Sequence, residues 1–180
     1  MSKVKLKEKY LRLSEETNAL DYLEKAFYYI CQTETNIIVW KWVVLALHDA
    51  LYGFAICACK VTNPDNVTSK ERGNWLIGFD KALERCQDPN QPAMSKHLQL
   101  SDQQKESIRK LKHFRDNFEH YMPKRWSIEI HVMPQIAIDV LNVISSLVRK
   151  GIYIHLSQNQ KKKKFNSFSK QTEVKTDSSL

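Results

Sequence analysis

The chain has 180 residues, of which 42% are hydrophobic and 27% are charged, and its formal net charge is +8. This length allows one domain with a substantial core, and the composition excludes a disordered or fibrous protein as the whole. Only four glycines and five prolines are present, which argues against a loop-rich β protein and favours helices.

The positive charge is concentrated at the two ends of the chain. The first twelve residues contain five basic residues and one acid, and the last 22 contain six lysines and two acids, whereas the residues between them contain 17 of each sign. The fold itself is therefore neutral. We divide the chain into a basic N-terminal arm (1–13), a helical domain (14–157) and a lysine-rich tail (158–180). The tail has too little apolar content to pack, so we predict that it is disordered.

The first two predicted helices differ in how apolar they are. Ala19–Gln32 carries apolar residues at helical spacing on one side. The second helix, which Thr35 or Asn36 can cap, runs to about Lys60 and is apolar nearly all round, as a helix buried on several sides would be. Three polar residues interrupt it: Lys41, His48 and Asp49. We therefore predict a core helix rather than a membrane span.

Two more helices follow a turn-rich segment. Trp75–Cys86 has apolar residues at helical spacing and is predicted to be amphipathic. Ser101 with Gln104 three residues later is a capping-box signature for a fourth helix. That helix is expected to stop near Tyr121, because Pro123 follows.

The last predicted helix completes an all-α fold. Ser127–Val132 alternates apolar and polar residues, so we expect it to be briefly extended. Pro134 suits the first turn of a final helix, and Gly151 suits its C-terminus. Together these patterns predict an antiparallel bundle of four to five helices.

The cysteines and histidines give no sign of a metal site. Cys57 and Cys59 lie two apart on a predicted helix, so they cannot pair with each other. Neither the four cysteines nor the histidines have the spacing of metal ligands. We expect no metal and no cofactor, and reduced cysteines packed in a cytoplasmic protein.

The stretch RDNFEHYMPKRW, Arg115–Trp126, can be read in two ways. Arg115 and His120 are five residues apart, roughly 140° around a helix, whereas Arg115 with Glu119 and Asp116 with His120 are i,i+4 neighbours. Spacing alone favours two surface ion pairs worth a few tenths of a kcal/mol each. The alternative is an RNA-cleaving site, in which a carboxylate orients a histidine and raises its pKa while an arginine holds the phosphate. The basic surroundings agree with that alternative, since residues 100–126 include seven Lys/Arg and only four Asp/Glu.

The same residues resemble a known superfamily. RDNFEH matches the R-x4-H pattern of the HEPN superfamily, including a small polar residue directly after the arginine. The aromatic-rich second helix, the step HYMPK and the step WSIE are similar to a group of short bacterial HEPN-like proteins. The resemblance covers roughly residues 20–147.

Membership of this superfamily would imply a fold, a reaction and partners. HEPN proteins are bundles of four or five helices that dimerise with their motif helices facing each other. The active ones are metal-independent endoribonucleases that leave 2′,3′-cyclic phosphate and 5′-hydroxyl ends, and many are toxins or antiphage effectors. Arg115 would hold the scissile phosphate, His120 would act as acid or base, and Asp116 would orient it. The expected partners are RNA, a second copy, and an antitoxin or defence-complex protein. The remaining candidate substrate contacts are Lys112, Asn117, Lys124, Arg125 and His48.

The sequence allows alternative roles for several of these residues. Glu119 beside His120 could occupy Arg115, which would leave a non-catalytic helical module that binds RNA or a partner protein. His48 could be a satisfied buried histidine rather than part of a polar cleft. Trp40 and Trp42 cannot share one helix face, and we expect core packing for both rather than base stacking. The lysines of the tail could grip RNA or simply be solvated.

Overall fold

The computed structural model describes residues 10–11, 13–60, 63–69, 73, 75–90, 97–120 and 125–151. Five α-helices lie in these ranges: α1 (Glu15–Ile30), α2 (Trp40–Lys60), α3 (Phe79–Gln87), α4 (Asp102–Glu119) and α5 (Met133–Gly151). An antiparallel pair of two-residue strands, β1 (Thr68–Ser69) and β2 (Trp75–Leu76), lies between α2 and α3. The predicted all-α class is therefore confirmed for the described residues. The tail at 158–180 and most of the N-terminal arm lie outside them.

Helix α2 is the centre of the molecule, and the other four helices all pack against it. Most of its side chains are buried, and Leu47, Leu51 and Phe54 are each at most 2% exposed. Burial of one large apolar side chain contributes about 1.5–3 kcal/mol, so α2 supplies much of the stability of the fold. The nearly all-round apolar pattern of its sequence follows from this position.

Two helical segments, Ile37–Lys60 and Ile130–Arg149, are long and apolar enough to cross a membrane by length and composition alone. Of the most apolar part of the first, 72% is buried inside the fold. Core helices of soluble proteins also pass this test, so it is weak evidence for a membrane span.

Small residues let α1 approach α2 closely. A Cβ atom added at Gly53 would lie 2.7 Å from the Cβ of Ala19 and 3.3 Å from its Cα. Ala26 of α1 and Ala50 of α2 are fully buried in the same core. The chain enters α2 through a 3-10 turn, Ile37–Val39, which Asn36 caps as predicted by accepting the N–H of Ile38 at 3.2 Å.

Local capping sets the first residues of α1 and α4. Helix α1 begins four residues before the expected Ala19, because Ser14 and Thr17 form a capping box that the sequence reading missed. The predicted box at the start of α4 is present: the Ser101 hydroxyl accepts the N–H of Gln104 at 3.2 Å, and the Gln104 side chain accepts the N–H of Ser101 at 3.0 Å. Each box satisfies two backbone donors that a helix N-terminus leaves free.

The helix expected over Trp75–Cys86 begins only at Phe79. The residues before it form β2 and an extended link. Ile77 explains the difference: its N–H donates to the carbonyl of Val67 at 2.9 Å, and its carbonyl accepts the hydroxyl of Tyr52 at 2.5 Å. These tertiary hydrogen bonds hold the backbone of Ile77 in place of the bonds of a helix.

The connection from α4 to α5 also differs from the prediction. Ser127–Val132 was expected to be extended, but residues 125–129 are irregular and Ile130–Val132 form a 3-10 turn that leads directly into α5. Pro134 lies in the first turn of α5, as predicted.

Asp139 of α5 is a buried polar contact between α4 and α5. Its carboxylate accepts the hydroxyl of Ser107 at 2.6 Å and the side-chain amides of Gln103 and Gln135 at 3.1 and 2.9 Å. Asp139 is 7% and Ser107 is 2% exposed, so the carboxylate is satisfied by protein donors.

Candidate functional site

The candidate motif occupies the last turns of α4. Ile108 and Leu111 bury the inward face of this helix, and Phe114 and Phe118 pack against the core with partial exposure. The Phe118 ring lies 5.0 Å from that of Trp126, which holds the Trp126 side chain against the helix. The motif therefore lies on a helix end that is anchored on both sides.

Arg115 lies between two carboxylates. Its Nη2 is 2.6 Å from Oε2 of Glu119, and its Nη1 is 3.2 Å from Oδ1 of Asp116. The Nε atom is buried, and no described residue accepts a hydrogen bond from it. The Arg115 side chain is 27% exposed, and the two carboxylates of its own helix balance its charge.

His120 is arranged differently from the expectation. Helix α4 ends at Glu119, not near Tyr121, and His120 has extended backbone angles of φ −95° and ψ 98°. Its backbone N–H still donates to the carbonyl of Asp116 at 2.9 Å. The expected side-chain pair between Asp116 and His120 is not formed, because the i,i+4 spacing of a helix does not extend to a residue outside it. Among the described residues, none hydrogen-bonds to the exposed His120 ring.

A tyrosine that the sequence reading did not single out borders this site. Burial, followed by the charges of Asp49, Asp21 and Glu119, raises the pKa of Tyr22 above its usual value. The charges of Asp49 on α2 and Glu119 on α4 therefore lie close enough to Tyr22 on α1 to affect its pKa. Only the packing of three helices brings them together, so no local sequence signal could have identified Tyr22.

His48 is buried next to this region. It is 5% exposed, its Nδ1 lies 2.9 Å from Oδ1 of Asp49, and its ring stacks on Phe79 at 4.3 Å between centroids. This geometry fits the alternative in which His48 is a buried core histidine whose hydrogen bonds are made within the protein. The ring presents almost no surface to a substrate.

The other candidate contacts are dispersed around α4. The Nζ of Lys112 lies 2.5 Å from Oδ2 of Asp80, which joins α4 to α3. The side-chain amide of Asn117 is 3.0 Å from Nε2 of His113. Arg125 is exposed, and Lys124 lies outside the described residues. The structure thus brings Arg115, Asp116 and Glu119 together, but not the full predicted set.

The two tryptophans at the start of α2 lie in different environments. Trp40 is 7% exposed and belongs to the core, as expected. Trp42 is 46% exposed and stacks on Tyr29 at 6.3 Å, so core packing was the wrong prediction for its ring. Tyr28, Ile37 and Ile38 are also apolar or aromatic side chains that are each more than 60% exposed.

Within the described ranges, no group of three or more His, Cys, Asp or Glu side chains could hold a metal ion. No protein family, characterised protein or solved structure matches this chain. The function of the site has to be inferred from its own residues.

Proposed function

We propose that this chain is an endoribonuclease of the HEPN type that acts as a homodimer. The observation that carries the proposal is the exposed His120 ring, which has no hydrogen-bond partner among the described residues and directly follows the helical turn that holds Arg115 and Asp116. RNA cleavage by an adjacent 2′-hydroxyl requires a group that transfers a proton and a cation that holds the phosphate.

In the proposed reaction the 2′-oxygen attacks the neighbouring phosphorus and the bond to the 5′-oxygen breaks. One proton leaves the 2′-hydroxyl and one is delivered to the departing 5′-oxygen, and His120 performs one of these transfers. Arg115 stabilises the charge that develops on the phosphate. Because Arg115 and His120 are five residues apart, roughly 140° by helical spacing, a complete site would combine residues of two chains.

Glu119 does not prevent this function. An i,i+4 ion pair with side chains about a quarter to two fifths exposed contributes about 0.5 kcal/mol or less. A phosphate can form a stronger bidentate contact with the guanidinium than this carboxylate does. Glu119 would then act as a weak competitor that RNA displaces from Arg115.

The test compares cleavage of a defined RNA in EDTA by wild type, His120→Ala and Arg115→Ala. Loss of an acid–base group lowers the rate by about 10² to 10⁴. The matched control is His113→Ala, which removes an exposed histidine of α4 that is not part of the R-x4-H motif. The products are expected to carry 5′-hydroxyl ends. Polynucleotide kinase should therefore phosphorylate them without prior dephosphorylation. Equal RNA decay by wild type and both motif variants would defeat the proposal.

A second candidate is supported by the two carboxylates at Arg115. If Asp116 and Glu119 keep the guanidinium permanently occupied, the chain is a non-catalytic module that binds RNA or a protein. The variant Glu119→Gln separates the two candidates, because it removes the charge of the nearer carboxylate. A ribonuclease should cleave faster with this substitution, whereas a non-catalytic module should show no cleavage with either residue.

The ribonuclease proposal includes a biological role as a toxin or antiphage effector. Induced expression in bacterial cells should then slow growth, and His120→Ala should relieve the effect at equal protein level. Growth inhibition that persists in the His120→Ala strain would argue against RNA cleavage as its cause.

A further inference from the structure

Two buried thiols face each other where α2 meets α3. Cys59, in the last turn of α2, and Cys86, in the last turn of α3, are both fully buried. Their Sγ atoms are 3.4 Å apart, although 27 positions separate them in the sequence. Neither is bonded to another cysteine.

The surroundings hold each sulfur toward the other helix. Cys59 Sγ lies 3.6 Å from the carbonyl of Ala82, and Cys86 Sγ lies 3.6 Å from the carbonyl of Ala55. Each of these carbonyls belongs to the residue four positions before the opposite cysteine. Ala55 and Ala82 are fully buried, and their small side chains permit the close approach of the two helices. Closing a disulfide bond to about 2.05 Å needs a movement of only about 1.4 Å between the sulfurs.

The two thiols are chemically distinct. The hydrogen bond with Cys86 lowers the pKa of Cys59, and the charge of Arg85 acts in the same direction against the effect of burial. The same contact, together with burial, raises the pKa of Cys86. Cys59 is thus the better nucleophile, since the thiolate is the reactive form. Burial raises the pKa of the nearby Cys57 to about 12, which makes that thiol unreactive.

We propose that Cys59 and Cys86 are a redox pair that closes into a reversible disulfide between α2 and α3 when the protein meets a hydroperoxide. The Cys59 thiolate attacks one peroxide oxygen, the O–O bond breaks, and a sulfenic acid forms as hydroxide leaves. The Cys86 sulfur then attacks the sulfenic sulfur, the S–S bond forms, and water leaves. In sum, two thiols are oxidised and hydrogen peroxide is reduced to two molecules of water.

The pair is independent of the proposed RNA-cleaving site, since it needs neither Arg115 nor His120. Because both sulfurs are buried, a small oxidant reaches them through local opening of the α2–α3 contact, so the reaction is slow but specific. The bond would fix α3 and the segment between the helices onto α2. Reducing conditions would reverse it, as expected of a redox-sensing disulfide in a reducing compartment.

The test treats the folded wild-type chain with hydrogen peroxide, blocks the remaining thiols with iodoacetamide, and maps the peptides by mass spectrometry. We expect a peptide pair joined through Cys59 and Cys86, which dithiothreitol separates. The variants Cys57→Ser and Cys31→Ser serve as controls and should keep the link, whereas Cys59→Ser and Cys86→Ser should abolish it. The oxidised wild type should also unfold at a higher denaturant concentration than the reduced protein.

Three outcomes would overturn the proposal. Modification of the exposed Cys31 shows that the oxidant was active. Under those conditions Cys59 and Cys86 could both be recovered as reduced thiols, or each could be recovered as a separate sulfinic acid. A disulfide could instead join Cys57 to either of them. Wild-type mapping alone decides between these outcomes, so the conclusion does not depend on the folding of the serine variants.

Discussion

Replacing Gly53 with alanine should destabilise the protein, although alanine is the better helix former. Gly53 lies inside α2, where alanine is favoured over glycine by about 1 kcal/mol. The added Cβ would lie 2.7 Å from the Cβ of Ala19, whereas unstrained carbon contacts are about 3.5–4.0 Å. The deficit of about 0.8 Å cannot be relieved by rotation of a side chain, because both Cβ atoms are fixed to their backbones. Helices α1 and α2 would have to move apart.

The expected size follows from these opposing effects. Overpacking a core costs about 1–3 kcal/mol, and a contact between two helix backbones belongs at the upper end. After subtraction of the gain in helix propensity, Gly53→Ala should lower the free energy of unfolding by about 1–2 kcal/mol. The midpoint of urea unfolding should fall, with little change in the slope.

A double-mutant cycle identifies the cause. In an Ala19→Gly background the opposing methyl group is absent, and the nearest neighbour of the added Cβ is the Cα of residue 19 at 3.3 Å. There, Gly53→Ala should range from neutral to stabilising by about 1 kcal/mol. The sign of the effect should thus depend on residue 19. An equal loss of stability in both backgrounds would refute the close approach of α1 and α2 at this point.

Two further predictions concern charged groups. Asp139→Ala should lower the free energy of unfolding by about 2–3 kcal/mol in urea titrations, because the buried Ser107 hydroxyl loses its acceptor. A loss of stability no larger than that caused by Ser107→Ala would contradict this prediction. The backbone hydrogen bond of Glu15 and then its contact with Lys60 lower the pKa of Glu15 in the folded state. The ionised Glu15 should add about a few tenths of a kcal/mol to the free energy of unfolding. This stabilisation should be present above pH 4.5 and be lost as the pH falls through the lowered pKa of Glu15 in the folded state. Stability curves of wild type and Glu15→Gln should therefore converge in acid, and a constant difference would contradict the assignment.

The helices that the sequence predicted best are those with local signals. The capping box at Ser101 and the apolar pattern of α2 act within a few residues, and both are found where expected. The start of α3 was misjudged because a long-range hydrogen bond from Tyr52 holds Ile77 in an extended link. Apolar spacing around Trp75 could not reveal this, since the 75% exposed Trp75 faces solvent instead of the core.

The candidate site was predictable only in its local part. The pair between Arg115 and Glu119 follows from i,i+4 spacing within a helix, and the structure contains it. The orientation of His120 was not predictable, because it depends on α4 ending at Glu119, directly before this histidine. The contact of Cys59 with Cys86 and the approach of Tyr22 to Glu119 require the packing of separate helices. Such contacts leave no mark in a single sequence.

The central position of α2 has a consequence for biosynthesis. Helix α5, which covers α2 together with α4, is completed about 90 residues after α2 ends at Lys60. At about 5–20 residues per second, the ribosome needs roughly 5–20 s to make that stretch. During this interval a segment with mean hydropathy 1.7 has only α1 at first, and then α3 and α4 as each is made, available as folding partners. The nascent chain is therefore a candidate client for chaperones that shield apolar helices until α5 emerges.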